Sequence, residues 1–110
     1  MINKFRVAFV GLLSSLKDKS ILTQYAFACI ACIVGWILKF EYLEWLAIIL
    51  CIGLVITTEM VNTCIEKLCD LYSIKLDDRI KYIKDLGAGA VLFSALISLV
   101  VGIIIVLHHM

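Results

Sequence analysis

The residues best placed to do chemistry are Glu59, Asn62, Glu66 and Asp70, which follow the uncharged run Trp45–Thr58. On a helix they point to about 0°, 300°, 340° and 20°, so all four share one narrow face. An acid this deep in an apolar segment costs about 2.5–3.5 kcal/mol on membrane-insertion scales, which makes Glu59 a functional candidate. Three carboxylates on one face repel one another, and a divalent cation relieves that repulsion. A second group, Lys84-Asp85, stands directly before Leu86-Gly87-Ala88-Gly89-Ala90, residues too small to block access. A cation beside an acid at such a mouth suits a phosphate and a metal ion. Each feature also has a plainer reading: Glu59 pairs with a lysine on another helix, Glu66 and Asp70 are wet surface acids, Lys84 snorkels as an interface anchor, and the glycines serve helix packing.

The elements that must position these groups follow from composition. The chain has 110 residues, 64% apolar and 17% charged, with no proline. That is more apolar material than one small core can bury, so a soluble globular domain is excluded in favour of an all-α membrane protein. Three runs, Ile21–Leu38, Trp45–Ile65 and Leu86–Leu107, each approach or exceed the roughly 20 residues needed to span a bilayer. Ahead of them, over about residues 2–17, Lys4 and Arg6 interrupt apolar residues at Phe5, Phe9, Leu12, Leu13 and Leu16, a spacing that predicts an amphipathic helix on the membrane surface. Lys17-Asp18-Lys19 and the lack of a small-residue cleavage site argue against a signal peptide.

Of the ten Lys and Arg residues, all but Lys39 fall before the first run or between the second and third. The positive-inside rule puts both regions in the cytoplasm, with Lys39, Glu41, Glu44 and the tail His108-His109-Met110 outside. The formal net charge of +1 offers no field for nucleic acid. The histidines read as a solvated tail, and Leu71–Tyr82 as a polar, partly helical connection. Cys29, Cys32, Cys51, Cys64 and Cys69 lie in or beside apolar runs and read as small packing residues, because Cys29-x-x-Cys32 lacks a second pair or a nearby histidine. Ala90, Ser94, Ser98 and Gly102, four residues apart, read as a helix-packing face.

A hard-cation site of Glu, Asp and Asn oxygens with a lysine, at the cytoplasmic boundary of a membrane, suits Mg²⁺-nucleotide. The deeper Glu59 is then placed to act as general base toward a lipid hydroxyl arriving within the bilayer.

The stretches Glu59-Met60-Val61-Asn62-Thr63-Cys64-Ile65-Glu66-Lys67-Leu68-Cys69-Asp70 and Lys84-Asp85-Leu86-Gly87-Ala88-Gly89-Ala90-Val91-Leu92 closely resemble the motifs E-x-x-N-[ST]-x-I-E-x-x-x-D and K-D-x-[AG]-[AS]-[AG]-A-V of the small bacterial integral-membrane diacylglycerol and undecaprenol kinases. The resemblance covers essentially the whole chain as a single lipid kinase domain over 1–110. It implies a multi-pass protein of the bacterial cell membrane, a homotrimer that transfers the γ-phosphate of Mg-ATP to a lipid alcohol. It implies Glu59 as catalytic base, Glu66 as metal-binding acid, Asn62 and Asp70 as supporting polar residues of the nucleotide site, Lys84 as the phosphate contact and Asp85 as the acid beside it. At the family's first metal acid this chain has Lys19, with Asp18 one position earlier, so either Asp18 serves by a local shift or the metal site holds one acid fewer. Lys75-Leu76-Asp77 replaces an E-Y-H stretch associated with nucleotide binding. The Gly-Ala-Gly-Ala-Val-Leu stretch is similar to the Gram-positive branch, which implies undecaprenol as substrate and undecaprenyl phosphate as product. The alternatives are a diacylglycerol kinase giving phosphatidic acid, a non-catalytic membrane assembly protein, and a small cation or proton carrier resting on Glu59 alone.

Overall fold

The computed structural model describes residues 2–72 and 77–110. Every described element is helical: α1 (Ile2–Ser14), a 3-10 turn (Ser15–Lys17), α2 (Lys19–Leu38), α3 (Tyr42–Tyr72) and α4 (Asp78–His108). Three of them, α2, α3 and α4, are long and apolar enough to cross a membrane. At 31 residues each, α3 and α4 are about 46 Å long and overrun a hydrocarbon layer of roughly 30 Å. Their polar turns therefore project beyond the apolar spans as ordered helix. The connection expected over Leu71–Tyr82 shrinks accordingly, since α3 continues through Tyr72 and α4 begins at Asp78. Ser73, Ile74, Lys75 and Leu76, including part of the Lys75-Leu76-Asp77 stretch, lie outside the described residues.

Local signals set these boundaries. Asp77 caps α4: its Oδ1 accepts the backbone N–H of Arg79 at 2.8 Å, and its carboxylate also meets the Arg79 guanidinium at 3.2 Å. The Arg79 side-chain bond holds the Asp77 carboxyl below its ordinary range. At the start of α3, Glu44 Oε1 accepts the Glu41 N–H at 2.8 Å, half of a capping box. α2 ends at Lys39, which sits in the left-handed region at φ 57° and ψ 59°, while the Phe40 N–H returns to the Gly35 carbonyl at 2.9 Å. Gly35 makes this corner possible, because a β-carbon there would overlap the rings of Trp45 and Phe40.

α3 and α4 run antiparallel and are tied at both ends. Asp70 meets Lys84 at the Lys/Arg-rich end, called here the charged end, and Glu44 meets His109 at the other, the histidine end. Between them α2 packs on α3, and an apolar groove of about 540 Å³ remains between α2, α3 and α4. A small core of Phe40, Ile48 and Ile105, with Trp45 and Leu38 against it, fills the histidine end. Elsewhere large apolar side chains such as Trp36, Leu50, Phe93 and Ile104 face outward. That inversion of a soluble core suits helices whose solvent is lipid.

One expectation changes. The terminal histidines are not both solvated: His109 is held by Glu44 at 2.7 Å and stacks on Phe40 with ring centroids 5.4 Å apart. Along the small-residue stripe of α4, Ser94 is buried and Ser98 and Gly102 line the groove between the helices, while Ala90 is exposed on the single chain. A four-residue step overshoots a full turn by about 40°, so four such positions wind around the helix. α1 is a helix with no buried residue, and Phe5, Phe9, Leu12 and Leu13 stand uncovered.

Candidate active site

Glu59 is 8% exposed, buried in the stretch of α3 that the charged end leads into. Among the described residues no cation pairs with it. The neighbouring hydroxyls are satisfied along their own helix: Thr58 Oγ1 donates to the Leu54 carbonyl at 2.6 Å, and Thr63 Oγ1 to the Glu59 carbonyl at 2.9 Å. The plain reading, in which a lysine of another helix neutralises Glu59, has no counterpart within this chain's described residues. One turn away on the same side, Val55 and Ile56 line the apolar groove, which continues along Ile52 and Ile48 toward the histidine end.

The next turn carries Asn62, 6% exposed, whose Nδ2 donates to Glu66 Oε1 at 2.9 Å. This i to i+4 bond realises the face inferred from spacing and orients the Glu66 carboxylate, which stands at the exposed edge. Asp70, one turn further, reaches across to α4 and accepts from Lys84 Nζ at 2.6 Å. The structure thus unites the two motifs through Asp70 and Lys84. Asp85 does not join them; it accepts from Lys81 of its own helix at 2.7 Å, and both side chains are exposed. Asp18, in the break between the 3-10 turn and α2, pairs with Lys67 of α3 at 3.0 Å, which brings it beside the Glu66 turn but commits its carboxylate to a cation.

The donors fit a hard divalent cation of the Mg²⁺ kind. Among the described residues no three His, Cys, Asp or Glu side chains gather into a ready-made cage. Mg²⁺ needs none, since it typically takes one or two carboxylates and fills its shell with phosphate oxygens and water. Glu66 offers such a carboxylate, oriented by Asn62 and open to solvent, and Lys84 supplies a flexible cation on the facing helix.

Two participants escape sequence reasoning. Lys67 and Lys81 were legible only as cations in a basic region, yet they hold Asp18 and Asp85. Gly87 is buried against Asn62, so that a β-carbon on it would overlap Asn62 Oδ1, in line with the reading of the glycines as helix-packing residues. Only the rotation of the helices about each other selects Gly87 over Gly89. All five cysteines are free thiols; Cys69 is buried and Cys51 half-buried, whereas Cys29, Cys32 and Cys64 are exposed on the single chain, so packing within it accounts for Cys69 and in part for Cys51.

The family model described as prokaryotic diacylglycerol kinase matches residues 6–106. The undecaprenol kinase of Bacillus subtilis (strain 168) is 39% identical over 82 residues, covering 74% of this chain and 67% of that protein. Nearly the full length is matched, including both motifs and all three candidate spans, and the chain therefore belongs to the prokaryotic diacylglycerol kinase family, as a multi-pass bacterial membrane lipid kinase that uses ATP as phosphate donor.

Proposed function

We propose that the lipid acceptor is undecaprenol and that the product is undecaprenyl phosphate, made by a homotrimer from Mg²⁺-ATP. The carrying observation is Glu59, a buried carboxylate with no pairing cation among the described residues, one helical turn from an apolar groove. A general base needs an accessible lone pair, and a membrane lipid needs apolar surface leading to that base. The preference for a polyprenol over diacylglycerol is supported by the Bacillus subtilis relative, an undecaprenol kinase. The positive-inside rule supports a cytoplasmic charged end, with the histidine end outside and α1 lying on the inner membrane surface through its uncovered Phe and Leu side chains.

In this reading the lipid tail lies along the groove and its hydroxyl meets Glu59. Glu59 accepts the hydroxyl proton as the oxygen attacks the γ-phosphorus. The bond from that phosphorus to the bridging β,γ oxygen breaks, and ADP leaves. Lys84 releases Asp70 to contact the transferring phosphate, with Asp85 close by in sequence. Glu66, held by Asn62, would hold the metal with Asp18 as a second candidate, and Asp70 supports the nucleotide site. The metal, when bound, neutralises phosphate charge as it develops.

The test is a panel of undecaprenol, shorter polyprenols and diacylglycerol offered to the purified protein with Mg²⁺-ATP. Undecaprenol should give the highest kcat/KM. Diacylglycerol turning over faster overturns the substrate assignment, and no turnover of any lipid overturns the catalytic one. A parallel Asp18→Ala variant tests the second metal acid: an unchanged Mg²⁺ dependence removes Asp18 from the site.

A further inference from the structure

Two lysines at the charged end reach from one helix to an acid on another element. Lys84 of α4 holds Asp70 of α3 at 2.6 Å, and Lys67 of α3 holds Asp18, in the break before α2, at 3.0 Å. Lys81, by contrast, pairs with Asp85 of its own helix. Both crossings lie within about one turn of Glu66, since Lys67 directly follows it and Asp70 is the next residue on its face. The Glu66 carboxylate that Asn62 orients therefore has two ammonium groups in its neighbourhood, each resting on an acid.

The charge balance of this chain points the same way. Lys67 fills a position that the motif E-x-x-x-D leaves open, and Lys19 stands where the family resemblance implies a first metal acid. Around Glu66 the chain thus gains cations and loses an acid, a change that disfavours a bare metal ion and favours an anion. The Asp18–Lys67 pair is also easily exchanged. Its side chains are 28% and 65% exposed, and such pairs contribute little to stability. A polyphosphate presents several charged oxygens, to which an ammonium on a flexible stem bonds strongly.

We propose that Lys67 is a further phosphate-binding residue of the nucleotide site: its ammonium exchanges Asp18 for the polyphosphate of Mg²⁺-ATP when the metal seats at Glu66. Lys84 then serves the phosphoryl group in transfer and Lys67 the rest of the polyphosphate, while Asp18 is released beside the Glu66 turn. The placement of the nucleotide at Glu66 rests on the function proposed above; the Asp18–Lys67 pair does not. A simple pin between the α1–α2 corner and α3 would use the same two side chains. The two roles separate once Asp18 is neutralised, because a pin without its acid has nothing left to hold.

The experiment compares wild type, Lys67→Gln, Asp18→Asn and the double variant, with Lys84→Ala and Lys81→Gln as references, all as detergent-purified full-length protein. It reads the Kd of an ATP analogue with an imido β,γ bridge in Mg²⁺, by calorimetry without lipid acceptor, together with Tm. Lys67→Gln should raise Kd by about 10-fold, the loss expected for one hydrogen bond to a charged group. Added to Asp18→Asn, it should raise Kd by about the same factor. Tm should move little in either variant, and Lys81→Gln should hold Kd within about twofold of wild type.

A change of less than about twofold on adding Lys67→Gln to Asp18→Asn makes Lys67 a pin and overturns the proposal. So does a loss from Lys81→Gln equal to that from Lys67→Gln, which would show a general field in place of a contact. Weakened binding in Lys84→Ala with unmoved binding in Lys67→Gln overturns Lys67 alone. Unmoved binding in both removes the nucleotide from Glu66, and Lys67 with it. If Lys67→Gln does not accumulate as folded protein because Asp18 is left unpaired, Asp18→Asn and the double variant decide between contact and pin by themselves.

Discussion

The two ends of the α3–α4 pair are tied by the same kind of contact, a carboxylate against a cationic side chain, and they use it differently. At the histidine end Glu44 and His109 are 12% and 18% exposed at their side chains, Glu44 also caps α3, and His109 stacks on Phe40. The two groups hold each other and the core of the bundle closes around them. At the charged end Asp70 and Lys84 are 66% and 38% exposed, Asn62 keeps an enclosed oxygen without a conventional donor, and Glu59 has no pairing cation among the described residues. Burying polar groups without partners is unfavourable, and in the function proposed above the substrate completes the set at the charged end. The histidine end is closed by the fold itself.

The contrast predicts that substitutions at the charged end reduce activity while sparing stability. Glu59→Gln keeps shape and removes the base, and should lower lipid phosphorylation by about 10²–10⁴-fold with Tm unchanged or higher. Retained activity would remove Glu59 as base, and a large fall in Tm would make it a structural group after all. Lys84→Ala follows, with a loss of about 10²–10³-fold expressed mainly as a raised KM for ATP, measured in the same assay. The Asp70 bond that it breaks is solvent-exposed, and such pairs contribute little to stability. Lys81→Ala, which frees Asp85 on the outer side of the same helix, should have the smaller kinetic effect; the reverse order would move the phosphate contact to Asp85's turn.

How much of this was legible in the sequence depended on whether a feature was local to one helix. The Glu59, Asn62, Glu66 and Asp70 face follows from 3.6 residues per turn, and the Asn62 to Glu66 bond realises it. The three spanning helices follow from runs of apolar residues too long to bury. What lies between helices was hidden. The Gly87 to Asn62 contact depends on rotation of α4 about its own axis, which no periodicity in so uniformly apolar a helix reports. Nor does it report which of the stripe positions Ala90, Ser94, Ser98 and Gly102 meets a helix of the same chain: Ser94 is buried there and Ala90 is not. His109 finds Glu44 across 65 positions of chain, and two adjacent histidines carry no pattern that would announce such a partner.

At the histidine end the expectation reverses. His109→Ala removes a partner from Glu44 and a ring from Phe40, and should lower Tm by on the order of 5 °C while leaving kcat/KM at permissive temperature within about twofold of wild type. A kinetic defect matching that of Lys84→Ala would show that the two ends are not separable.

The smallest effect belongs to the corner that this end depends on. Lys39 holds a left-handed conformation at φ 57°, where its β-carbon crowds the backbone and a glycine would not. The turn is nonetheless well determined, because the Phe40 N–H bonds to Gly35 and the Phe40 and Trp45 rings close over that glycine. Lys39→Gly should therefore stabilise the protein by about 0.5–1 kcal/mol, reduced by the greater freedom glycine has in the unfolded chain. Thermal unfolding in detergent would register a rise of a few degrees with no change in lipid phosphorylation. A fall in Tm would mean that the Lys39 side chain contributes more at the membrane interface than its backbone strain removes, and the histidine end would then depend on its lipid surroundings as well as its own packing.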